Sequence, residues 1–239
     1  MFRPALPLFF KEDPLMVCRA FRQYLYDENG NRYLDCINNV QHVGHCHPAV
    51  TNAIMKQSSL STLNNRYLHS SCVEYCERLS ATLPSSLNTF LFCNSGSEAN
   101  DVAFRMARDY TGGTEVIVLE HAYHGNLSSL IDISPLKFNG KGGKGAPEHV
   151  HVAPIPDAYR GKIRLTTEKL HDPASLEDIG VSYALEVKAI CDKIKNDGKK
   201  LCAFYMESLI SCGGQVIPPS SYLYNVLKYV FIYILQSMY

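Results

Sequence analysis

The 239 residues, 46% of them hydrophobic, suffice for one large α/β domain with at most a small appendage, and they exclude a disordered chain. Lys plus Arg equals Asp plus Glu at 23 each, so no charge excess points to nucleic acid or an anionic membrane. The nine cysteines are odd in number and partly embedded in apolar runs (Cys93, Cys202), the usage of a reducing compartment rather than of a disulfide scaffold.

The first ten residues, MFRPALPLFF, are too short and too broken by prolines for a secretory signal. With one Arg and no acid before Glu12, they read as an extended arm or as the remnant of a mitochondrial presequence, with the cytoplasm as the alternative location. Residues 16–36 read as a hairpin whose arms, 23–27 and 32–36, flank Asn29-Gly30. The following loop, 38–48, concentrates His42, His45, Cys46 and His47. A metal site is one reading of it. Adjacent Cys46 and His47 cannot easily both face one tetrahedral ion, however, and no ligand pair follows, so no metal is expected. Pro48 opens a helix running towards Leu60; a second, over 71–83, carries Val73, Cys76 and Leu79 on one face and ends before Pro84.

Residues 89–93 read as a central strand, and Ala99, Val102, Ala103, Met106 and Ala107 recur at the spacing of a buried helix face. Between them lies Asn94-Ser95-Gly96-Ser97-Glu98. A strand, a tight Ser/Gly turn and a helix start make an anion site, because the first helix amides lack partners within the helix and the positive dipole end faces the turn. Ser95 and Ser97 add hydroxyls, and Gly96 lets the backbone approach a phosphate. The same residues equally describe an ordinary capping box, Ser95 with Glu98 three residues on. Residues 115–119, 149–152 and 201–206 read as further strands, and 181–195 as a helix burying Ala184, Val187, Ile190, Cys191 and Ile194, closed by Asp197-Gly198. Strands alternating with helices imply a parallel sheet with ligands beyond its carboxyl ends, so 94–97 and 121–125 should face one crevice. Residues 137–145 (KFNGKGGKG), Gly- and Lys-rich, could bind phosphate taken alone, but no strand leads into them and no helix follows, so they read as a flexible surface connection. Residues 154–161 read as a rigid turn presenting Arg160. The tail, 222–239, is apolar but carries Asn225, Lys228 and Gln236; its unbroken apolar stretch is about half of a membrane span.

Asn94-Ser95-Gly96-Ser97-Glu98-Ala99-Asn100-Asp101 and the Ala-Arg helix after it resemble the phosphate cup of class III, fold-type I pyridoxal 5'-phosphate (PLP) enzymes. Residues 36–40 (CINNV), 42–48 (HVGHCHP), 122–125 (AYHG), 127–135 (LSSLIDISP) and 150–154 (VHVAP) resemble the phospho-lyase branch, which acts on phosphoethanolamine or 5-phosphohydroxylysine. The similarity runs from about Leu8 to about Tyr229.

This resemblance implies an α/β, fold-type I PLP-transferase-like fold: a mostly parallel sheet flanked by helices, with a small N-terminal hairpin segment, cut before the C-terminal domain. It divides the chain into an arm, hairpin and pocket loop (1–48), a partial large PLP-binding domain (49–220) and a divergent apolar tail (221–239). It implies PLP held by Ser95, Gly96, Ser97, Tyr123 stacked on the pyridine ring, His124 and Glu207. A small phosphorylated amine would be met by His42 in the pocket wall and by Arg160 on the substrate's phosphate. Asn126 departs from the family, whose phospho-lyases usually carry His there, while Ser208 after Glu207 matches that branch. The D-E-x-Q motif and the Schiff-base lysine of the family have no counterpart in these residues, so no catalytic residue is assigned and the chain is expected to be a truncated, inactive form. The complete enzyme would release ammonia and phosphate and assemble as a homo-oligomer, without nucleic acid or membrane partners. The alternatives are a class III transaminase, a non-catalytic regulatory partner of full-length subunits and, most distant, a metal-dependent hydrolase using His42, His45 and His47.

Overall fold

The computed structural model describes Leu8 and residues 12–37, 42–64 and 66–238, with backbone alone for 235–238. The arm read from the first ten residues, Leu8 apart, and the 38–40 part of the CINNV motif lie outside the described residues. The chain divides into two compact units, Met1–Thr89 and Phe90–Tyr239.

The first unit holds a three-stranded antiparallel sheet, β1 (Val17–Phe21), β2 (Tyr24–Asp27) and β3 (Arg32–Leu34), in the order β1-β2-β3. The expected hairpin is thus its β2–β3 part. Asp27 organises the turn: its Oδ1 accepts from the amides of Asn29 and Asn31, and its Oδ2 accepts from Asn31 Nδ2 and the Tyr33 hydroxyl. Two helices follow, α1 (Pro48–Leu60), with proline in its first turn, and α2 (Ser70–Ser80), whose N-cap His69 accepts from Ser71 N. Neither helix buries a residue; Ile54 and Val73 are exposed.

The second unit begins with residues 90–93, which belong to neither sheet. The expected central strand is not formed there, since a strand exists through its pairing and residues 90–93 pair with neither edge of the sheet. The central strand is β4 (Glu115–Leu119), wholly buried and paired in parallel with β5 (Val150–Ala153) and β6 (Leu201–Tyr205), in the order β5-β4-β6. Before it runs α3 (Gly96–Thr111), and here too the expectation fails in part. The face turned inward carries Phe104 and Thr111, while Ala99, Ala103 and Met106 are exposed. Phe104 wins the inner position because its ring meets Tyr205 of β6 edge-on at 5.8 Å, a larger apolar contact than any alanine offers.

Two short helices follow β4, namely α4 (Ser128–Asp132) and α5 (Pro135–Phe138). Helix α6 (Pro173–Asn196) starts eight residues before its expected bound, because Asp172 caps it by accepting from Ser175 N at 3.1 Å with proline in the first turn. It buries Ala184, Val187, Cys191 and Ile194 against the sheet. The tail forms α7 (Ser220–Met238), which lays Tyr222, Val226 and Val230 into the same core beside α6. Tyr233 of α7 donates to Asp192 of α6. Among the described residues, no helix is long and apolar enough to cross a membrane.

Candidate cofactor site

The site grows from the N-terminus of α3. Ser95 caps the helix, its hydroxyl accepting from Glu98 N at 3.1 Å, and Glu98 Oε2 reaches back to accept from Asn94 N at 2.8 Å and Asn94 Nδ2 at 3.0 Å. This reciprocal cap holds the turn and leaves the amides of Gly96 and Ser97 without partners within the helix. A Cβ built on Gly96 would meet nothing within 4 Å, so the glycine is uncovered on its side-chain side. The cap uses the Glu98 amide, and the two amides before it are ones that could meet an anion.

The loop after β4 closes on this helix. His121 adopts φ +62 at the strand end, uncommon for a residue with a Cβ. Gly125 adopts φ +147 and lies against Ser97. Ser97 Oγ accepts from Asn126 N at 3.1 Å, and Asn100 Nδ2 donates to His124 O at 2.8 Å. The Tyr205 hydroxyl in turn donates to Asn100 O at 3.0 Å, which ties the helix to β6. Burial pushes the Tyr205 phenol up to about 12, so it remains a donor through the neutral range. Glu207, just beyond β6, spans 84 residues to accept from Tyr123 N at 2.8 Å through Oε1. Its Oε2 accepts from Ser211 N at 2.7 Å and Cys212 N at 3.1 Å.

These groups frame a cleft of about 450 Å³ lined by Asn100, Tyr123, His124, Tyr205, Glu207 and Ser208, among others. His124 is 5% exposed; its ring packs edge-on against Tyr205 at 5.4 Å, and its Nε2 is buried without a hydrogen-bond partner. Burial holds its imidazole below the usual histidine range, against the opposing pull of Glu207. Lys137 of α5 places its Nζ 5.4 Å from the centre of the Tyr123 ring.

Ser95, Gly96, Ser97, Tyr123, His124 and Glu207 thus gather within one unit. Arg160 lies on the exposed turn after β5, its guanidinium 5.0 Å from the Tyr159 ring centre, and is not in the cleft lining. His42 belongs to the first unit, where it lines a separate cavity of about 520 Å³ with Arg22, Asp35, His45 and His47. His45 Nε2 lies 2.7 Å from Asp35 Oδ2 there. Among the described residues, no three His, Cys, Asp or Glu side chains are grouped to hold a metal. Sequence reasoning assigned no role to Ser134 or Tyr205, included Asn100 only within the cup motif, and set Lys137 in a surface loop. Ser134-Pro135 is a helix-start signal that would have placed Lys137 on an element rather than in a loop.

The chain matches the aminotransferase class-III family over residues 10–230. It is 48% identical over 223 residues to ethanolamine-phosphate phospho-lyase homolog 1 of Caenorhabditis elegans, covering 93% of this chain and 48% of that protein. It is 48% identical over 222 residues to alanine–glyoxylate aminotransferase 2-like of Drosophila melanogaster, covering 93% and 44%. A mitochondrial relative, named alanine–glyoxylate aminotransferase 2 homolog 2 in Arabidopsis thaliana, is 36% identical over 162 residues, 65% of this chain and 33% of its own length. Among solved structures, an Arthrobacter phospholyase in complex with phosphoethanolamine superposes with a TM-score of 0.82 at 34% identity, covering 97% of this chain and 51% of that one. The chain spans about half the length of the curated relatives it matches. It belongs to the class-III aminotransferase family, has the fold-type I architecture, and by that membership has pyridoxal phosphate as its indicated cofactor.

Proposed function

We propose that this chain carries the phosphate cup and ring-stacking loop of a PLP-dependent phospho-lyase, an enzyme that removes ammonia and phosphate from phosphoethanolamine or 5-phosphohydroxylysine. The observation that carries the reading is the convergence of the first α3 amides with the Tyr123 loop, through Ser97 on Asn126 and Glu207 on Tyr123. The residues fit the cofactor. The first amides of α3 lack partners within the helix, and Gly96 is uncovered where a side chain would stand. Tyr123 offers an aromatic face three residues from Asn126, and the unpartnered Nε2 of His124 marks a buried polar position beside it.

Gly96 and Ser97 would bind the cofactor phosphate, with Ser95 holding the helix start in place. Tyr123 would stack on the pyridine ring and restrict its tilt, and Glu207 would fix the backbone that carries Tyr123. His124, kept neutral by burial, would present a ring nitrogen without adding charge. His42 and Arg160 would serve the substrate. PLP, when bound, supplies an electron sink for the substrate's Cα. Alone, the chain should bind PLP weakly and reversibly and be inactive, since no residue within it is assigned as base for the Cα proton. A homo-oligomer and a mitochondrial location are part of the same proposal, the location supported by the relatives named mitochondrial.

The test is Ser97→Ala, read by equilibrium dialysis against PLP. Retention should fall by about tenfold, the loss of one hydrogen bond to a charged group together with a loosened loop. Unchanged retention would remove Ser97 from the cup. A second reading, transamination, is favoured by the aminotransferase names among the relatives. Release of inorganic phosphate against formation of a new amino acid separates the two in a chain that turns over.

A further inference from the structure

A cation that the sequence did not assign to the substrate's phosphate stands beside Tyr123. Lys137 stands over the Tyr123 ring and forms no ion pair among the described residues. Its position is built, contrary to the expectation of a flexible connection. Leu136 N donates to Ala122 O at 3.1 Å and His124 N to Ser134 Oγ at 2.9 Å, so α5 is bonded to the Tyr123 loop on both sides of Tyr123. Pro135 and Phe138 are buried. The glycine-rich stretch folds back as a clasp, with Gly145 N donating to Phe138 O at 3.0 Å. A Cβ at Gly143 would stand 2.0 Å from Phe138 O, so only glycine permits this approach.

We propose that Lys137 recognises the phosphate monoester of the substrate, the role that the sequence suggested for Arg160. This rests on the phospho-lyase reading above. An ammonium over an aromatic face keeps most of its charge and all of its donors for a further partner, and a phosphate dianion is the strongest such partner. On that reading the cofactor's own phosphate belongs to the helix amides beside Asn126. Lys137 Nζ, 5.4 Å from the Tyr123 ring centre, would stand beside the ring stacked there, within reach of the substrate joined to it. Both Lys137 and Arg160 are exposed and neither lines the cleft, but Arg160 rests on its own neighbour Tyr159, whereas Lys137 stands on Tyr123 of the cleft lining.

The test uses the full chain loaded with PLP and titrated calorimetrically with phosphoethanolamine and with ethanolamine. The wild-type chain should prefer the phosphorylated amine. Lys137→Met should weaken phosphoethanolamine binding by about tenfold to a hundredfold, the range of one hydrogen bond between charged groups. Its affinities for ethanolamine, PLP and pyridoxal should not change, and Lys137→Arg should keep most of the preference. Wild-type binding by Lys137→Met overturns the proposal. So does a parallel loss of PLP but not of pyridoxal, which would give Lys137 to the cofactor's phosphate. Loss of the preference in Arg160→Met, with Lys137→Met intact, returns the role to Arg160. A wild-type chain that retains PLP but shows no preference refutes the phospho-lyase reading, and this proposal with it.

Discussion

Gly125 is where the Tyr123 loop and the cup helix meet, and replacing it with alanine tests whether that junction is as tight as its geometry states. The new methyl would stand 2.5 Å from Leu130 Cδ1, 2.9 Å from Ser97 Oγ and 3.1 Å from Ser97 Cα. The Ser97 contacts involve backbone in the first turn of α3, and Leu130, though a side-chain tip, is fully buried and has no free space to enter. Overpacking of this kind costs about 1–3 kcal/mol. At φ +147, outside the left-handed helical region, a Cβ adds about 1–3 kcal/mol. The sum is about 2–6 kcal/mol. With a urea slope of about 2 kcal/mol/M, the midpoint should fall by about 1–3 M. The assay is urea unfolding followed by far-ultraviolet circular dichroism, since the chain has no tryptophan. Gly198→Ala is the control: it shares a positive φ but meets nothing within 4 Å, so it should lose only the backbone part. A Gly125→Ala midpoint shift equal to that of the control would refute the close junction between loop and cup.

Glu207→Ala strips the acceptor from three amides, and should cost about 2 kcal/mol and lower PLP retention; Glu207→Gln, which keeps one acceptor oxygen, should lose less, and equal losses would deny the carboxylate its anchoring role. Glu115, 3% exposed, lies 2.7 Å from His151 Nε2 and 3.5 Å from Lys199 Nζ. Burial pushes its carboxyl up, but His151, Lys199 and Thr114 outweigh that and hold it below its ordinary value. The folded-state value being the lower one, its stabilisation is complete above the ordinary glutamate range and is lost as pH falls through the folded value. Melting temperature against pH should therefore fall less steeply below about pH 4.5 in Glu115→Gln than in the wild-type chain, and parallel curves would exclude this residue as the source.

Local pattern carried much of the fold. The β-branched run of β4 and the capping sequence Asn94-Ser95-Gly96-Ser97-Glu98 are legible because burial and helix starts leave signatures within a few residues. The end of α6 is legible for the same reason, through Asp197-Gly198. The rule that parallel sheets present ligands at their carboxyl ends holds for the loop after β4, but residues 90–93 form no sheet strand. The meeting of 94–97 with that loop is therefore set by the Ser97–Asn126 and Asn100–His124 hydrogen bonds. Periodicity failed on α3 because two apolar stripes compete there, and only the partner surface, Tyr205 of β6, selects Phe104 over Ala99 and Met106.

The sequence by itself determined the class of fold and the capped start of α3, since helix starts and buried strands leave their signatures in short contiguous stretches. Tertiary structure alone decided that residues 90–93 stay outside the sheet, that Glu207 anchors Tyr123 across 84 positions, and that Lys137 rather than Arg160 stands over the Tyr123 ring. Each of these is a pairing between distant segments, and which distant groups meet is set by how the packed elements fill space, not by the pattern of any one of them.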